Sequence, residues 1–543
     1  MNQSWKRWLP KVAWAVVDAL AVTWVLWLRW LACPVGQSDP VTPGLQDIPE
    51  SAWQWGGPGD FVLWGPDAGN WAANAQAWLQ GAPLDPNRLP VYTALTALLA
   101  PGGDVVWGGH LVNHGAGALA CLALYWLGVQ TSGRGAALGA AVWMAVSPSL
   151  VESQALFGVD PVFGAVFLAT VASAWWATKG HALRAIAPGI MMGLLVGTHF
   201  LGLVFPVVLA IGMLQAKGDW KRRILPALGA LLLCVVVLKL LLLPYENLGL
   251  SHIVAVYLEG VANPTSSANV IEPLSQRLLT APILAVQRGL GPFRDSGLPW
   301  WSLVLMLWAG VVGWGLPGGD ERAWDWRAGL WLVVLCGPLI LLEATRAPER
   351  YRDFLRPVVI LLVMRGLASP AAAIEQALRK KLPKWPSGVL PLVLCAGVAL
   401  LTQQGFVEQW PPKMPIENAL HTRATGMVVA ELSLVEPGVQ SVVNTQQVVD
   451  FYAGLDSCPS NYCSLDPSSL AACKSLVLGQ CAGDPIAVVV ELQNGGPWDQ
   501  SPNRVFDAWV EENHSPVQRI SGFEAGRESK IYLLSRVEIA AAP

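Results

Sequence analysis

Four arginines cluster in the segment 346–356, beside a long apolar stretch. They are Arg346, Arg350, Arg352 and Arg356. A guanidinium group presents paired N–H donors that match the oxygens of a phosphate, so this cluster is suited to holding a phosphorylated ligand. Three acids, Glu343, Glu349 and Asp353, accompany the arginines. The segment is therefore predicted to be a phosphate site, with a salt-bridged or headgroup-binding loop as the alternative.

A single acid, Asp67, marks a second segment of chemical interest. The stretch Gly65–Trp71 continues into an alanine-rich amphipathic sequence that ends at Gln80, and an apolar segment follows from Leu89. Asp67 is thus predicted to lie at the entrance to an amphipathic helix whose apolar residues can rest on the membrane surface. A helix N-terminus also favours negative charge. The simpler interpretation is therefore that Asp67 only caps the helix.

Three ionisable residues fall inside apolar stretches, where charge is costly. Asp18 and Arg365 are predicted to lie at similar depth, roughly 10 Å from one face of the membrane, and are expected to pair as a structural bridge. Lys239 is predicted to lie nearer the other face. There it could reach a bound phosphate, or extend its ammonium group to the membrane surface.

Two histidines, His110 and His114, are spaced one helical turn apart. Imidazole nitrogens are common metal ligands, and the pair could hold a divalent cation together with Asp67 or Asp160. The alternative is that both histidines pack as ordinary side chains near the membrane surface. The sequence favours this second interpretation.

The composition indicates what kind of protein must position these side chains. Hydrophobic residues make up 53% of the 543 residues and charged residues only 13%, whereas a soluble domain carries about 25% charged residues. The 35 Lys and Arg face 38 Asp and Glu, which leaves no basic excess for a nucleic-acid partner. Soluble enzymes and disordered proteins are excluded. An α-helical polytopic protein with the lipid bilayer as its partner is predicted.

Apolar runs long enough to cross a hydrocarbon core predict about eleven transmembrane helices. They lie near residues 12–32, 106–128, 134–150, 161–178, 185–216, 224–244, 300–317, 328–345, 354–372 and 388–404. The run 185–216 is long enough for two short helices, and their break is expected at Gly197-Thr198-His199.

Basic residues near the ends of these runs predict the orientation, because Lys and Arg concentrate on the cytoplasmic side. Lys6, Arg7 and Lys11 place the N-terminus in the cytoplasm. Alternation then puts the loop 33–105 and the C-terminal part outside. This topology fits a bacterial inner membrane with a periplasmic C-terminal part, and a eukaryotic endoplasmic reticulum is also compatible with it.

The chain is predicted to divide into a transmembrane module, 1–404, and a soluble extracytoplasmic domain, 405–543. The second part carries 8 basic and 16 acidic residues, against 27 and 22 in the first. Its pattern predicts a small α/β domain. Strands are expected at Val442–Val443, Ile486–Glu491 and Lys530–Ser535, and helices at Thr422–Leu434 and Arg504–Glu512.

Four cysteines of this domain, Cys458, Cys463, Cys473 and Cys481, lie close together in the chain. An even, dense set outside the cytoplasm predicts two disulfides. A zinc site is the alternative, but these cysteines lack the short paired spacing usual for zinc.

Four motifs, in this order, resemble the GT-C class of membrane glycosyltransferases. The first is Asp67 with the helix ending in WLQG and the segment PVYTALTALL. The others are SPSLVESQALFGVDPVFGAVFLA, GLLVGTHFLGLVFPVVLAI and ERYRDFLRPVVILLV. The chain resembles the protein O-mannosyltransferase and lipid A aminoarabinose transferase families over most of residues 10–405.

The resemblance implies an inverting transfer of a hexosyl or pentosyl group from a polyprenyl-phosphate-linked donor to a protein, lipid or glycan acceptor. Asp67 would be the general base. Arg350, Tyr351 and Arg356 would hold the donor phosphate, with Lys239 as a further candidate.

Asp160 would be a second catalytic residue, and Glu152 would lie on the acceptor side. Asp160 could instead hold a divalent metal, while the arginines could stabilise the phosphate without one, so metal dependence stays open. Ala68 stands where many relatives carry a second acid, which excludes a paired carboxylate at 67–68.

Two other functions fit the same sequence. One is a non-enzymatic membrane subunit or polyprenyl-lipid transporter with an external interaction domain. A transporter should carry its ionisable residues near the middle of the membrane on broken helices, whereas here they gather near the predicted outer face. The other is a relative that keeps the fold and has lost activity, which the missing second acid would permit.

Overall fold

The computed structural model describes most of the chain. The described residues are 3–32, 68–85, 88–147, 150–151, 157–179, 182–214, 220–245, 255, 274–290, 299–312, 354–382, 388–401, 417–444, 449–457, 481, 483–493, 502–511, 514–521 and 527–535.

Helices dominate the part of the chain before residue 402. The first eight are α1 Gln3–Ala32, α2 Ala68–Gln80, α3 Pro90–Leu98, α4 Val105–Thr131, α5 Arg134–Val146, α6 Asp160–Ala177, α7 Ile186–Thr198 and α8 Phe205–Met213. They are followed by α9 Trp220–Leu241, α10 Leu274–Gly289, α11 Trp300–Val312, α12 Arg356–Lys381 and α13 Val389–Leu401. Proline occupies the first turn of α3, α6, α8 and α12, where its missing N–H costs nothing.

Five of the described helices, α1, α4, α6, α9 and α12, are long and apolar enough to cross a membrane. Shorter apolar helices, among them α5, α11 and α13, pack beside them. The protein is therefore a mostly helical integral membrane protein. The predicted span 328–345 lies outside the described residues, and the number eleven stays a prediction.

Small residues let the central helices approach closely. Almost all of α5 is buried, and its Gly139 faces Cys395 of α13, whose Cβ lies 2.8 Å from where a Cβ on Gly139 would be. Without a hydrophobic driving force between helices in lipid, such close backbone packing is what holds a membrane bundle together. In contrast, α1 and α9 expose most of their apolar surface, including Trp30 and Leu232.

Two ends of the bundle can be distinguished by their contacts. Phe354, two residues before the start of α12, packs on Phe163 near the start of α6, with ring centroids 4.8 Å apart. Phe163 also contacts His199, just after the end of α7, at 5.2 Å. We call this the Asp160 end, and the opposite end, where α5 begins, the Arg134 end.

The chain breaks after α7, as the sequence predicted. Helix α7 ends at Thr198, and His199 is extended, with φ −149° and ψ 144°. The His199 Nδ1 atom accepts a hydrogen bond from the Leu201 backbone N–H at 3.1 Å, which starts a short 3-10 turn before α8.

The expected pairing of Asp18 with Arg365 is wrong. Asp18 accepts two hydrogen bonds from Arg134, at 2.8 and 3.0 Å, and a third from the Tyr125 hydroxyl at 2.7 Å. Arg365 donates instead to the Thr131 carbonyl at 3.0 Å. Helix α1 packs on α4 and α5, so the start of α5 brings a different arginine, Arg134, next to Asp18.

Replacement of Gly366 by alanine should destabilise the bundle. Gly366 of α12 and Gly310 of α11 lie back to back, and a Cβ on Gly366 would collide with the Met306 carbonyl oxygen. Because this neighbour is backbone, the helices must separate, at a cost of about 1–3 kcal/mol. Thermal melting in detergent measures the effect. Gly397→Ala is the matched control, since its Cβ would meet nothing within 4 Å. Equal melting temperatures for both variants would contradict the prediction.

The C-terminal part contains a five-stranded sheet. Its elements are α14 Glu417–Val435, β1 Ser441–Asn444, α15 Val449–Ala453, β2 Asp456–Ser457, β3 Ile486–Gln493, α16 Pro502–Glu511, β4 Gln518–Ser521 and β5 Arg527–Leu534. The strand order is β2-β1-β3-β5-β4, with β1 parallel to β2 and β3, and β5 antiparallel to β3 and β4. The three expected strands and two expected helices are confirmed within a few residues. The short β2, β4 and α15 were not predicted.

One of the four cysteines predicted to form disulfides lies among the described residues. Cys481 is disulfide-bonded, which favours the disulfide interpretation over zinc at this residue. Cys458, Cys463 and Cys473 lie outside the described residues. Three cysteines of the helical part, Cys121, Cys234 and Cys395, are free and buried, as small apolar side chains would be.

A buried charge network joins α16 to β5. Lys530 donates to Asp507 and to Glu511, each at 2.7 Å, and the Tyr532 hydroxyl donates to Asp507 at 2.7 Å. Burial disfavours the charge on Lys530, but these two acids outweigh it and raise the pKa of Lys530 above 10.5. The hydrogen bond from Lys530 lowers the pKa of the Glu511 carboxyl.

Lys530→Met should destabilise the sheet by about 2–3 kcal/mol, because it leaves the buried Asp507 with only Tyr532 as a partner. A raised lysine pKa contributes stability that is complete below the unfolded value and is lost as pH rises through the folded value. The difference between the variant and the wild type should therefore hold at neutral pH and shrink above pH 10.5. Hydrogen exchange of β3 and β5 measures it. The exposed Arg519, replaced by Met, is the control and should change little. A difference that grows at alkaline pH would refute this account.

Candidate functional site

Asp160 is the first residue of α6, directly before Pro161, and it is partly exposed at the Asp160 end. The helix N-terminus stabilises its negative charge. Its charge acts in turn on the hydroxyl of Tyr92 in α3. The structure therefore brings one predicted site acid next to the helix pair α2 and α3, which follows Asp67 in the chain.

Tyr92 is fully buried and links three elements through its ring. It makes edge contacts with Trp71 of α2, at 5.2 Å, and with Phe157 before α6, at 5.9 Å. Burial raises the pKa of Tyr92 far above its ordinary value, and the charge of Asp160 raises it further. Tyr92 therefore stays protonated and can only take part as a neutral hydroxyl.

A hydrogen-bond network centred on Asn74 holds α2 in place. The Asn74 amide donates to Thr93 Oγ1 at 3.1 Å and to the Tyr245 hydroxyl at 3.4 Å, and its oxygen accepts from the Asp85 backbone N–H at 2.8 Å. The Tyr245 hydroxyl donates to the Arg88 carbonyl at 2.8 Å. These bonds tie α2 to α3, to the loop between them and to the end of α9.

Arg88 adds a cation at the same end. Its guanidinium lies over the Trp71 ring, 5.3 Å from the centroid, and its Nε atom is 3.7 Å from Asp85. Stacking on the Trp71 indole and pairing with Asp85 orient the planar guanidinium group of Arg88. Arg88 is partly exposed, so it can contribute to the electrostatics of a ligand at the Asp160 end.

Arg356 is the first residue of α12 and is 6% exposed. The aromatic cluster before it fixes its position, because Phe354 packs on Phe167 at 5.0 Å and on Phe205 at 5.5 Å, besides Phe163. The N-termini of α6 and α12 thus meet at one end of the bundle. Their unsatisfied N–H groups and dipoles favour an anion there, and Arg356 adds a full positive charge.

The predicted histidine pair does not form a metal site among the described residues. His110 and His114 have ring centroids 6.3 Å apart, and His110 packs against Phe157 at 5.7 Å. In the described part of the chain, no group of three metal-binding side chains comes together. The aromatic packing favours the simpler interpretation of His110.

Lys239 lies on the exposed face of α9. Its neighbours Leu238 and Leu242 are buried against the bundle, whereas Lys239, Leu240 and Leu243 point away from it. This orientation favours the interpretation in which the ammonium group extends along the lipid-facing surface. Four other predicted site residues, Asp67, Glu152, Arg350 and Tyr351, lie outside the described residues.

Sequence reasoning missed Asn74, Arg88, Tyr245 and Phe354. One signal was available for Asn74, which shares a helical face with Trp71, Ala75 and Trp78, where a polar residue among apolar ones implies a buried partner. The partner itself, Tyr245, is 171 residues away and carries no local signal.

The fold is similar to that of two solved membrane transferases. ArnT from Cupriavidus metallidurans, bound to undecaprenyl phosphate, superposes with a TM-score of 0.55 at 13% identity, over 96% of this chain and 98% of that one. The oligosaccharyltransferase AglB from Archaeoglobus fulgidus, in complex with an inhibitory peptide and a dolichol-phosphate, superposes with a TM-score of 0.54 at 12% identity, over 94% and 74%. No protein-family model and no curated protein sequence matches the chain. The chain has the GT-C fold that its motifs resemble.

Proposed function

We propose that the protein is a membrane glycosyltransferase that moves a sugar from a polyprenyl-phosphate carrier to an acceptor outside the cytoplasm. The observation that carries the proposal is Arg356, a buried cation at the N-terminus of α12. The N-terminus of α6 lies at the same end of the bundle. A buried guanidinium beside two helix N-termini is suited to an anionic partner such as a phosphate. The likeness to a transferase bound to undecaprenyl phosphate supports a lipid phosphate as that partner.

In the proposed reaction, Asp67 takes the proton from a hydroxyl or amine of the acceptor. The freed electron pair forms a bond to the anomeric carbon of the sugar, while the bond from that carbon to the phosphate oxygen breaks. The lipid phosphate departs with the bonding electrons, so the configuration at the anomeric carbon inverts. The place of Asp67 in the chain supports this role, because it directly precedes α2, which begins at Ala68 and is held by Asn74.

The departing phosphate gains negative charge, which Arg350 and Arg356 would stabilise, with Tyr351 assisting. A preorganised cation acts more strongly when it is shielded from water, and Arg356 is 6% exposed. The exposed orientation of Lys239 supports only a secondary contribution from that residue. Asp160 and Glu152 would shape the acceptor side, and the neutral Tyr92 hydroxyl would keep the Asp160 region polar.

Basic residues at the Arg134 end support the proposed orientation. Helix α12 ends with Arg379, Lys380 and Lys381, and Lys179 follows α6 at the same end. By the positive-inside tendency this end faces the cytoplasm, and the Asp160 end faces outward. The disulfide at Cys481 supports an oxidising compartment for residues 405–543. We propose the bacterial inner membrane with about eleven spans.

The test uses purified protein in nanodiscs with a panel of polyprenyl-phosphate-linked sugars and a membrane extract as the source of acceptor. We expect release of the polyprenyl phosphate that depends on the acceptor, and a product of inverted anomeric configuration by NMR. A parallel reaction with EDTA decides metal dependence.

The alternative functions give different results. Passage of the intact lipid-linked sugar between leaflets without cleavage would indicate a transporter. Donor binding without any turnover would indicate a relative that has lost activity. Failure to bind any polyprenyl-phosphate lipid would contradict the proposed function altogether.

A further inference from the structure

The short helix α15 of the C-terminal sheet has two different faces. Val449 and Ala453, one turn apart, are buried in the apolar cluster behind the sheet, together with Val442 and Ile531. Residues four positions apart project from the same side of a helix. This side therefore anchors α15 to its own sheet.

Phe451 lies between these two residues and projects from the other side. It packs against the apolar core of the membrane helices, not against the core of the sheet. Helices α15 and α2 are in direct contact. In α2, Ala68, Trp71 and Ala72 are buried members of that same membrane core.

We infer that Phe451 is a positioning residue for α2, so that the C-terminal sheet sets the geometry at the start of this helix. Helix α2 has only 13 residues, a length at which a helix depends on tertiary packing for its stability. The Asn74 network holds its middle, and the α15 contact supplies packing from outside the bundle. The link to catalysis rests on the proposed function, because Asp67 directly precedes Ala68 in the chain.

Through the contact between α15 and α2, the C-terminal sheet can act on the membrane part of the protein. A shift of about 1 Å in a catalytic group can cost roughly 10²-fold in rate. Loss of the Phe451 ring would relax α2 and, with it, the attachment of Asp67, which directly precedes this helix in the chain. Removal of a side chain in the soluble part should thus change the site in the membrane part.

Hydrogen exchange of the full-length protein tests the contact without reference to activity. In Phe451→Ala, amide exchange in residues 68–80 should rise at least about fivefold, which corresponds to local opening of the helix, while β3 and β5 keep their protection. Phe451→Leu should restore most of the protection. Val517→Ala, which removes an exposed apolar side chain of the same sheet region, is the control. Unchanged exchange in 68–80 with a folded sheet would overturn the inference.

A double-mutant cycle with Asp67 tests the link to catalysis. Phe451→Ala should lower kcat about tenfold and leave the KM for the donor within about twofold, since positioning acts on the transition state. In the Asp67→Asn background the same change should have no further effect. Additive losses would overturn the positioning role. If Asp67→Asn alone is fully active, the proposed base fails, and the exchange result still decides whether Phe451 holds α2.

Discussion

Replacing Asp67 with asparagine is expected to slow sugar transfer by roughly 10²–10⁴-fold, the usual contribution of a general base. Asparagine keeps the size of the side chain and caps a helix about as well as aspartate. Helix α2 begins at Ala68, so a capping role would survive the change and the loss of a proton acceptor would not. Initial rates of the purified variant, measured beside its melting temperature, separate the two roles.

Asp104 provides the matched control. It caps α4 by accepting hydrogen bonds from the backbone N–H groups of Val106 and Trp107, each at 3.0 Å, and it is exposed. Asp104→Asn should therefore melt and react like the wild type. If Asp67→Asn behaves in the same way, Asp67 is only a cap, and the base of the proposed reaction must be sought elsewhere.

Replacing Arg356 with alanine is expected to lower kcat by roughly 10²–10³-fold, as removal of one preorganised donor to a developing anion does. Arg356→Lys should recover only part of the rate, because an ammonium group does not reproduce the paired, planar N–H donors of a guanidinium group. Arg350→Ala should act in the same direction. Turnover and binding of the polyprenyl-phosphate lipid should both be measured, since the ground-state phosphate already carries charge.

Arg379, in the last turn of the same helix, is the control. It is exposed at the Arg134 end, so Arg379→Ala should leave turnover unchanged. Folding is monitored by melting, because Arg356 is buried and its truncation removes packing as well as charge. Normal donor binding and turnover in Arg356→Ala would mean that this arginine is structural. Arg356 would then no longer support the proposed function.

Apolar runs predicted the helices well, because the hydropathy of a run depends only on residues that are neighbours in the chain. Helices α4, α6 and α12 begin within two residues of the predicted spans, and the break after α7 falls at Gly197-Thr198-His199, as predicted. The strands β3 and β5 were expected at the runs Ile486–Glu491 and Lys530–Ser535. The short β4 and α15 were missed because elements of four or five residues carry too few positions for a period to be recognised.

Candidate residues were predicted by type, and their partners were not. Asp18 and Arg365 were predicted at similar depth, yet Asp18 accepts hydrogen bonds from Arg134, and Arg365 donates to a backbone carbonyl. Depth follows from counting residues along a helix. The neighbour depends on how each helix is rotated about its axis, which packing against other helices sets. Lys239 illustrates the same point, because its depth was predicted but not its exposed face.

The sequence by itself determined that this is a membrane protein, where its main helices run, and which arginines and acids could do chemistry, because hydropathy and residue type are local properties. Only the tertiary structure decided that Phe354, just before α12, packs near the start of α6, that Asn74 meets Tyr245 across 171 residues of chain, and that Phe451 reaches the membrane core. Those contacts join residues that are far apart in the chain, and they arise when packed helices bury complementary surfaces that no single segment encodes.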